Sequence, residues 1–148
     1  MNATITDNPS GTTARIDGLD VSPAWKAYFT AIRKYGGLDL PVFKALPKEN
    51  RKAAMKELKP PLASMALAFV FGFFYYLAKG MWKKGLVLLA FVLAGMLVLA
   101  TLFTLFGVPQ LVNGLRFAGG ALFMVTAPRD FYSFKVLGDR GWMPVRPF

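Results

Sequence analysis

The sequence predicts an all-α membrane protein, and three observations lead to this fold class. No Asp or Glu occurs between Glu57 and Asp130. Within that acid-free stretch, residues 85–108 form an uncharged, mostly apolar run of 24 residues, and about 20 are enough for a helix to cross a bilayer core. The 148 residues are 55% hydrophobic, which is too apolar for an ordinary soluble domain. We expect a helical hairpin or a three-helix transmembrane domain, with short cytoplasmic amphipathic helices at the N-terminus.

The first segment, residues 1–20, is predicted to be a disordered polar tail. It has little apolar content to pack, and turn-forming residues occupy positions 8–13. Because this segment has no apolar core and one basic residue, Arg15, it does not resemble a secretory signal. We therefore expect the N-terminus to stay in the cytoplasm.

Two amphipathic or basic helices are predicted within residues 21–59. Ser22 and Pro23 supply a cap and a first-turn proline for the first helix, before Gly36 and Gly37 end its pattern. Its apolar residues share one side at helical spacing: Trp25, Tyr28, Phe29 and Ile32. This aromatic stripe either packs on the domain or the headgroup layer, or offers a docking face to a partner. A basic juxtamembrane helix is predicted over residues 47–59.

The predicted membrane domain covers residues 60–128 and contains three apolar segments, 62–78, 85–108 and 111–127. The first has 17 uncharged residues, at the lower limit for a span, and the last is interrupted by Asn113 and Arg116. Residues 129–148 follow as a polar and aromatic C-terminal tail.

The distribution of Lys and Arg favours two crossings over three. If all three apolar segments crossed, seven basic residues would lie on each side of the membrane, which is a poor fit to the positive-inside rule. If segment 62–78 re-enters or lies in the interface, thirteen lie on the cytoplasmic side and Arg116 alone lies near the other. We therefore favour a hairpin of 85–108 and 111–127 with both chain ends cytoplasmic, and we keep three spans as the alternative.

Basic and aromatic residues around the start of the second apolar segment indicate an interface with anionic lipid headgroups. The residues expected at this interface are Lys79, Trp82, Lys83, Lys84, Tyr75 and Tyr76. Arg116, the one charge inside the last apolar segment, either reaches the interface by its long side chain or pairs with a partner. Small residues four positions apart, Ala90 with Ala94 and Gly114 with Ala118, allow close helix packing within the hairpin or in a homo-oligomer.

The aromatic run at residues 68–77, with Gly72 at its centre, and the Lys-Gly-Met-Trp-Lys-Lys-Gly run at 79–85 resemble the signature of domain-of-unknown-function family 2628. Flanking residues from about 22 to 145 are also similar to that family, whose members are small bacterial inner-membrane proteins. The resemblance implies a bacterial inner-membrane location, and it supplies no catalytic residues because the family has no established activity. This chain carries Phe73 where many members have proline, and the departure favours a continuous helix over a sharp break.

Composition excludes several functions. The chain has no Cys and no His, which removes thiol chemistry and the usual zinc, copper and haem ligands, so we expect no metal and no cofactor. The net charge of +10 lies mainly beside apolar runs, which favours anionic phospholipids over nucleic acid as partners.

The leading hypothesis for function is a non-enzymatic membrane protein that binds another membrane component or a protein partner through its cytoplasmic helices. One alternative is an immunity protein that neutralises a membrane-acting or pore-forming bacterial toxin. Another is a small channel or carrier, which would have to be an oligomer because two or three helices do not enclose an aqueous path.

Overall fold

The computed structural model describes residues 15–35 and 48–144, and all regular secondary structure in these ranges is helical. The helices are α1 (Pro23–Lys34), α2 (Lys48–Glu57), α3 (Leu62–Phe71), α4 (Phe73–Ala78), α5 (Trp82–Leu105) and α6 (Val112–Lys135), with a 3₁₀ turn at Pro109–Leu111 between the last two. The all-helical prediction is confirmed for the described residues.

Helix α1 forms where the cap and proline signals predicted it, and its aromatic stripe faces inward. Pro23 occupies the first turn, and Trp25, Tyr28, Phe29 and Ile32 are all buried. Burial raises the pKa of Tyr28 to about 12, although the positive charge of Arg129 opposes this shift. The stripe packs on the domain, so it is not the exposed docking face that was the second interpretation of the sequence.

The residues just before α1 also join the core, in part contrary to the prediction of a disordered tail. Ile16 is 1% exposed and belongs to the same buried cluster as α1. The Lys26 ammonium donates to the Asp17 carbonyl over 2.6 Å. Residues 1–14 and the glycine pair that was expected to end α1 lie outside the described residues.

Helix α2 lies beside α1 at the polar end of the chain. The Lys34 ammonium donates to the Glu57 carboxylate over 2.8 Å, and the Tyr35 hydroxyl donates to the same oxygen over 3.1 Å. Both bonds lower the pKa of Glu57, and the bond from Lys34 has the larger effect. The pair links the last turn of α1 to the last turn of α2, while Lys52, Lys56 and Lys59 remain exposed.

Segment 62–78 is broken at Gly72, and the expectation of a continuous helix there was wrong. Gly72 has φ 45° and ψ −112°, a conformation that only glycine adopts readily, and it separates α3 from α4. The hydroxyls of Ser64 and Tyr75 are 2.6 Å apart, whereas one straight helix would separate these positions by about 16 Å. The chain therefore folds back on itself at Gly72.

Helix α5 is the one helix of the described chain that is long and apolar enough to cross a membrane, judged by length and composition. It has 24 residues, or about 36 Å, and begins three residues before the predicted segment. Only 11% of its most apolar window is buried inside the protein. The three-span arrangement is not confirmed, because α3 and α4 are each too short to span.

Helix α6 returns antiparallel to α5 and is longer than predicted. It continues through Pro128 to Lys135, eight residues beyond the predicted end of the apolar segment at 127. Gly119 lies against Val92 of α5, where an added Cβ would be 3.0 Å from a valine methyl. After α6, Gly138 turns the chain with φ 71°.

The buried core lies at one end of the molecule. Trp25 and Phe29 of α1 pack edge-on or tilted against Phe131 of α6, with ring centroids 4.7 and 5.8 Å apart. Phe123, which precedes Phe131 by eight residues on α6, contacts both Tyr76 and the Gly72 turn. The other end, formed by most of α5 and the first half of α6, leaves its apolar side chains exposed.

Candidate functional site

The described residues contain a polar and aromatic layer at the start of α5, where the buried core meets the exposed apolar helices. We call this layer the collar and define it as Lys79, Trp82, Lys83, Lys84, Asp139, Arg140 and Trp142. It is held in place by two buried polar groups, one centred on Asp130 and one on Lys84.

Asp130 is fully buried where α4 meets α6. The Tyr76 hydroxyl donates to its carboxylate over 2.7 Å and lies 3.0 Å from the Thr126 hydroxyl. A buried carboxylate is costly unless it is hydrogen-bonded, so this group fixes α4 on α6.

Lys84 forms the second polar group. Its side chain is 2% exposed, and its ammonium donates to the Asp139 carboxylate over 2.7 Å and to the Ser133 hydroxyl over 3.1 Å. The Ser133 hydroxyl donates to the same Asp139 oxygen over 2.9 Å. The bond from Lys84 is the main cause of a lowered pKa at Asp139. This ion pair ties the chain after α6 to the first turn of α5.

Glycine at position 85 is required for α4 to lie against α5. A Cβ at Gly85 would stand 2.6 Å from the Tyr76 Cβ and 3.0 Å from its Cγ, closer than real side chains approach. Gly80 makes the turn between the two helices with φ 78°. The two glycines of the 79–85 run therefore have separate structural roles, one in a turn and one in helix packing.

The outer surface of the collar carries two exposed tryptophans. The Trp82 and Trp142 rings meet edge to face, with centroids 5.6 Å apart, and are 45% and 49% exposed. The Lys83 ammonium lies 5.9 Å from the Trp82 centroid and 5.6 Å from the Trp142 centroid, which is cation–π range. Beside them is an open groove of about 280 Å³ whose lining includes Gly80, Lys83, Lys84, Phe134, Asp139 and Arg140.

The structure separates the residues predicted at the headgroup interface into two groups. Trp82 is exposed and Lys83 is half-buried, and the Lys79 ammonium lies 4.9 Å from the Phe131 ring centroid and 5.8 Å from that of Tyr75. Tyr75, Tyr76 and Lys84, by contrast, are buried and hydrogen-bonded inside the protein. These three are not available to headgroups, because their polar atoms already have partners within the fold.

The predicted partner-binding residues on α1 do not form an exposed surface. The α1 stripe is covered by α6, as described above. Arg116 lies on α6, but its side chain is outside the described residues. Sequence reasoning missed Asp139, Arg140 and Trp142 as parts of the collar, and it missed Ser133 as a hydrogen-bond partner of Lys84 and Asp139. A usable signal existed for Asp130 and Asp139, which are the first two acids after the long acid-free stretch.

Comparison with known proteins gives one finding on ancestry. The family model described as "Protein of unknown function (DUF2628)" matches residues 43–136. The chain belongs to the DUF2628 family. The matched DUF2628 region contains α2 to α6 and the Lys79–Gly85 run, whereas α1 and the Asp139–Trp142 side of the collar lie outside it, so the likeness is narrower than residues 22–145. No curated protein and no solved structure shows significant similarity to the chain.

Proposed function

We propose that this protein is a non-enzymatic membrane protein that binds another membrane component at the collar. In this proposal α5 and α6 cross the bilayer as a hairpin, and α3 and α4 enter and leave from the side of the collar. The location is the bacterial inner membrane, with the N-terminus and the collar on the cytoplasmic side.

One observation carries the proposal: a 24-residue apolar helix, 11% buried over its most apolar window, rises directly from a cationic, tryptophan-bearing layer. A soluble protein would have to expose this surface to water, and apolar patches of that extent are rare on soluble monomers. The exposed side chains of α5 include Phe91, Leu97 and Leu105. Hydrocarbon is the solvent that suits them, and the collar then lies at headgroup depth.

The α3–α4 turn supports entry from one side. Phe123, which contacts the Gly72 turn, precedes Phe131 by eight residues of α6, or about 12 Å along the helix. If Phe131 marks the headgroup side, the Gly72 turn reaches less than half of the way through a hydrocarbon core of about 30 Å. The backbone of the turn is packed on α6, as a non-helical segment at membrane depth requires. The Gly72 amide donates to the Ala68 carbonyl over 2.9 Å.

The buried polar groups favour binding over catalysis. Among the described residues, no buried side-chain nitrogen or oxygen lacks a hydrogen-bond partner, and no group of three His, Cys, Asp or Glu could hold a metal. Asp130 and Lys84 therefore stabilise the fold through their partners. The outer part of the collar remains as the contact surface, in which Trp82, Arg140 and Trp142 are exposed and Lys83 is half-buried.

Site-specific photocrosslinking in native membranes tests the proposal. A photoreactive residue in place of Trp142 should give discrete lipid or protein adducts, and the same residue in place of Met55, which is exposed on α2, serves as the control. Adducts that depend on the Trp142 position support collar binding, and recovery of a secreted toxin would specify the immunity alternative. Equal or absent adducts at both positions would contradict the proposal.

A further inference from the structure

The groove beside Trp82 and Trp142 has the charge and position of a lipid-phosphate site. Its full lining contains three cations, Lys83, Lys84 and Arg140, and one anion, Asp139. Lys84 and Asp139 neutralise each other through their 2.7 Å ion pair. Two positive charges remain, on Lys83 and Arg140. Asp139 is the one carboxylate in the groove lining, and it is already paired with Lys84.

We propose that this groove binds the phosphate-bearing headgroup of one anionic phospholipid. The inference rests on the proposed membrane location, because the groove opens at the first turn of α5, where headgroups would surround the chain. Lys83 comes from the first turn of α5 and Arg140 from the segment after α6, so two separate parts of the chain each bring one cation to the groove. Arg offers a planar fork suited to phosphate oxygens.

The Trp82–Trp142 pair favours an anionic ligand over the cationic choline group of a lipid. Aromatic cages for quaternary ammonium ions need open ring faces. Here the Lys83 ammonium already lies within 5.9 Å of both tryptophan centroids. A second cation would meet Lys83 and Arg140 with like charge, whereas a phosphate would meet opposite charge. The exposed tryptophans instead offer apolar surface to the glycerol and upper acyl region.

Lipid titration of the purified full chain in detergent tests this site. The probe is dioctanoyl phosphatidylglycerol, followed by the fluorescence of the tryptophans, of which Trp82 and Trp142 line or border the groove and Trp25 lies in the core. Lys83→Gln and Arg140→Gln should each weaken binding about fivefold, since a basic residue near an anionic surface contributes about that factor. Lys56→Gln, the same charge change on exposed α2, should leave binding unchanged.

Removal of the groove's one acid gives a test of opposite sign. Asp139→Asn should strengthen phosphatidylglycerol binding, because it removes a negative charge and frees Lys84 for the ligand. Weaker binding by Asp139→Asn, with helix content retained by circular dichroism, would contradict an anion site. The Lys83 and Arg140 variants change surface side chains and keep the test valid if Asp139→Asn does not fold.

Two further probes identify the ligand class. Dioctanoyl phosphatidylcholine binding as tight as phosphatidylglycerol would overturn the proposal, and so would inorganic phosphate that saturates the same signal at equal concentration. A chain that stays folded without detergent would refute the membrane location itself. A detergent-dependent chain whose lipid binding ignores Lys83 and Arg140 would refute the groove alone.

Discussion

The adjacent residues Lys83 and Lys84 have different environments in this fold. Lys83 lies over two exposed tryptophan rings, while Lys84 is buried against Asp139 and Ser133. The sequence predicted both at a headgroup interface, because composition reports a cluster and not the direction of each side chain. One residue turns a helix by about 100°, so the partner 55 positions away, not the local pattern, decides which lysine is buried.

The Lys84–Asp139 pair predicts a specific pH dependence. Because the folded pKa of Asp139 is lowered, its contribution to stability is fully present above its unfolded pKa of about 3.9 and is lost as pH falls below that value. Asp139→Asn should lower the free energy of unfolding at pH 7 by about 1–3 kcal/mol, because it removes a charge-assisted hydrogen bond. Thermal unfolding in detergent measures the difference between variant and parent, which should shrink below pH 4. A difference that persists unchanged at pH 3 would show that the carboxylate charge is not responsible.

At the scale of helices, the strongest periodic patterns were predicted well, whereas the break in segment 62–78 was left open and the length of α6 was underestimated. Helices α1, α2 and α5 lie within a few residues of their predicted bounds. The break at Gly72 was left open: a re-entrant segment required a turn there, whereas Phe73 favoured a continuous helix. A glycine inside an apolar run is compatible with a helix, and packing on Phe123 and the Ser64–Tyr75 bond select the turn. The extension through Pro128 was missed because proline usually ends a helix, whereas tertiary contacts of Phe131 and Tyr132 maintain this one.

Packing of α4 on α5 predicts different outcomes at two glycines of the same helix. Gly85→Ala should destabilise the protein by about 1–3 kcal/mol, because the new Cβ overlaps the Tyr76 side chain at 2.6 Å. Gly95→Ala should be neutral or stabilising, because nothing lies within 4 Å of its added Cβ. Thermal unfolding of both variants in the same detergent checks this. Equal melting temperatures would mean that α4 does not pack on α5 at this point.

At the scale of the whole molecule, the buried aromatic core and the exposed apolar helices divide the chain into two zones. The sequence predicted the second zone from its missing charges. The sequence left open whether the α1 stripe would pack on the domain, on the headgroup layer or on a partner, because an amphipathic face suits all three. The contacts of Trp25 and Phe29 with Phe131 decide among these.

This division predicts the effect of a charge on the exposed surface of α5. Leu97 is 72% exposed near the middle of the helix, so Leu97→Arg should reduce the carbonate-resistant membrane fraction. The cost of a central arginine is about 2.5–3.5 kcal/mol on insertion scales. Met55→Arg, at a similarly exposed site on α2, should leave that fraction unchanged. If Leu97 faced water instead, the arginine would improve solubility and leave the distribution as it was.

Sided labelling of single cysteines tests the central claim, that α5 and α6 cross a bilayer while α3 and α4 return to the side they entered. The natural chain has no cysteine, so Lys59→Cys, Lys79→Cys and Gln110→Cys each report one position. The measurement is reaction with a membrane-impermeant maleimide in vesicles of known orientation. We predict that positions 59 and 79 react on one face and position 110 on the other. Positions 59 and 79 on opposite faces, or all three on the same face, would contradict this arrangement.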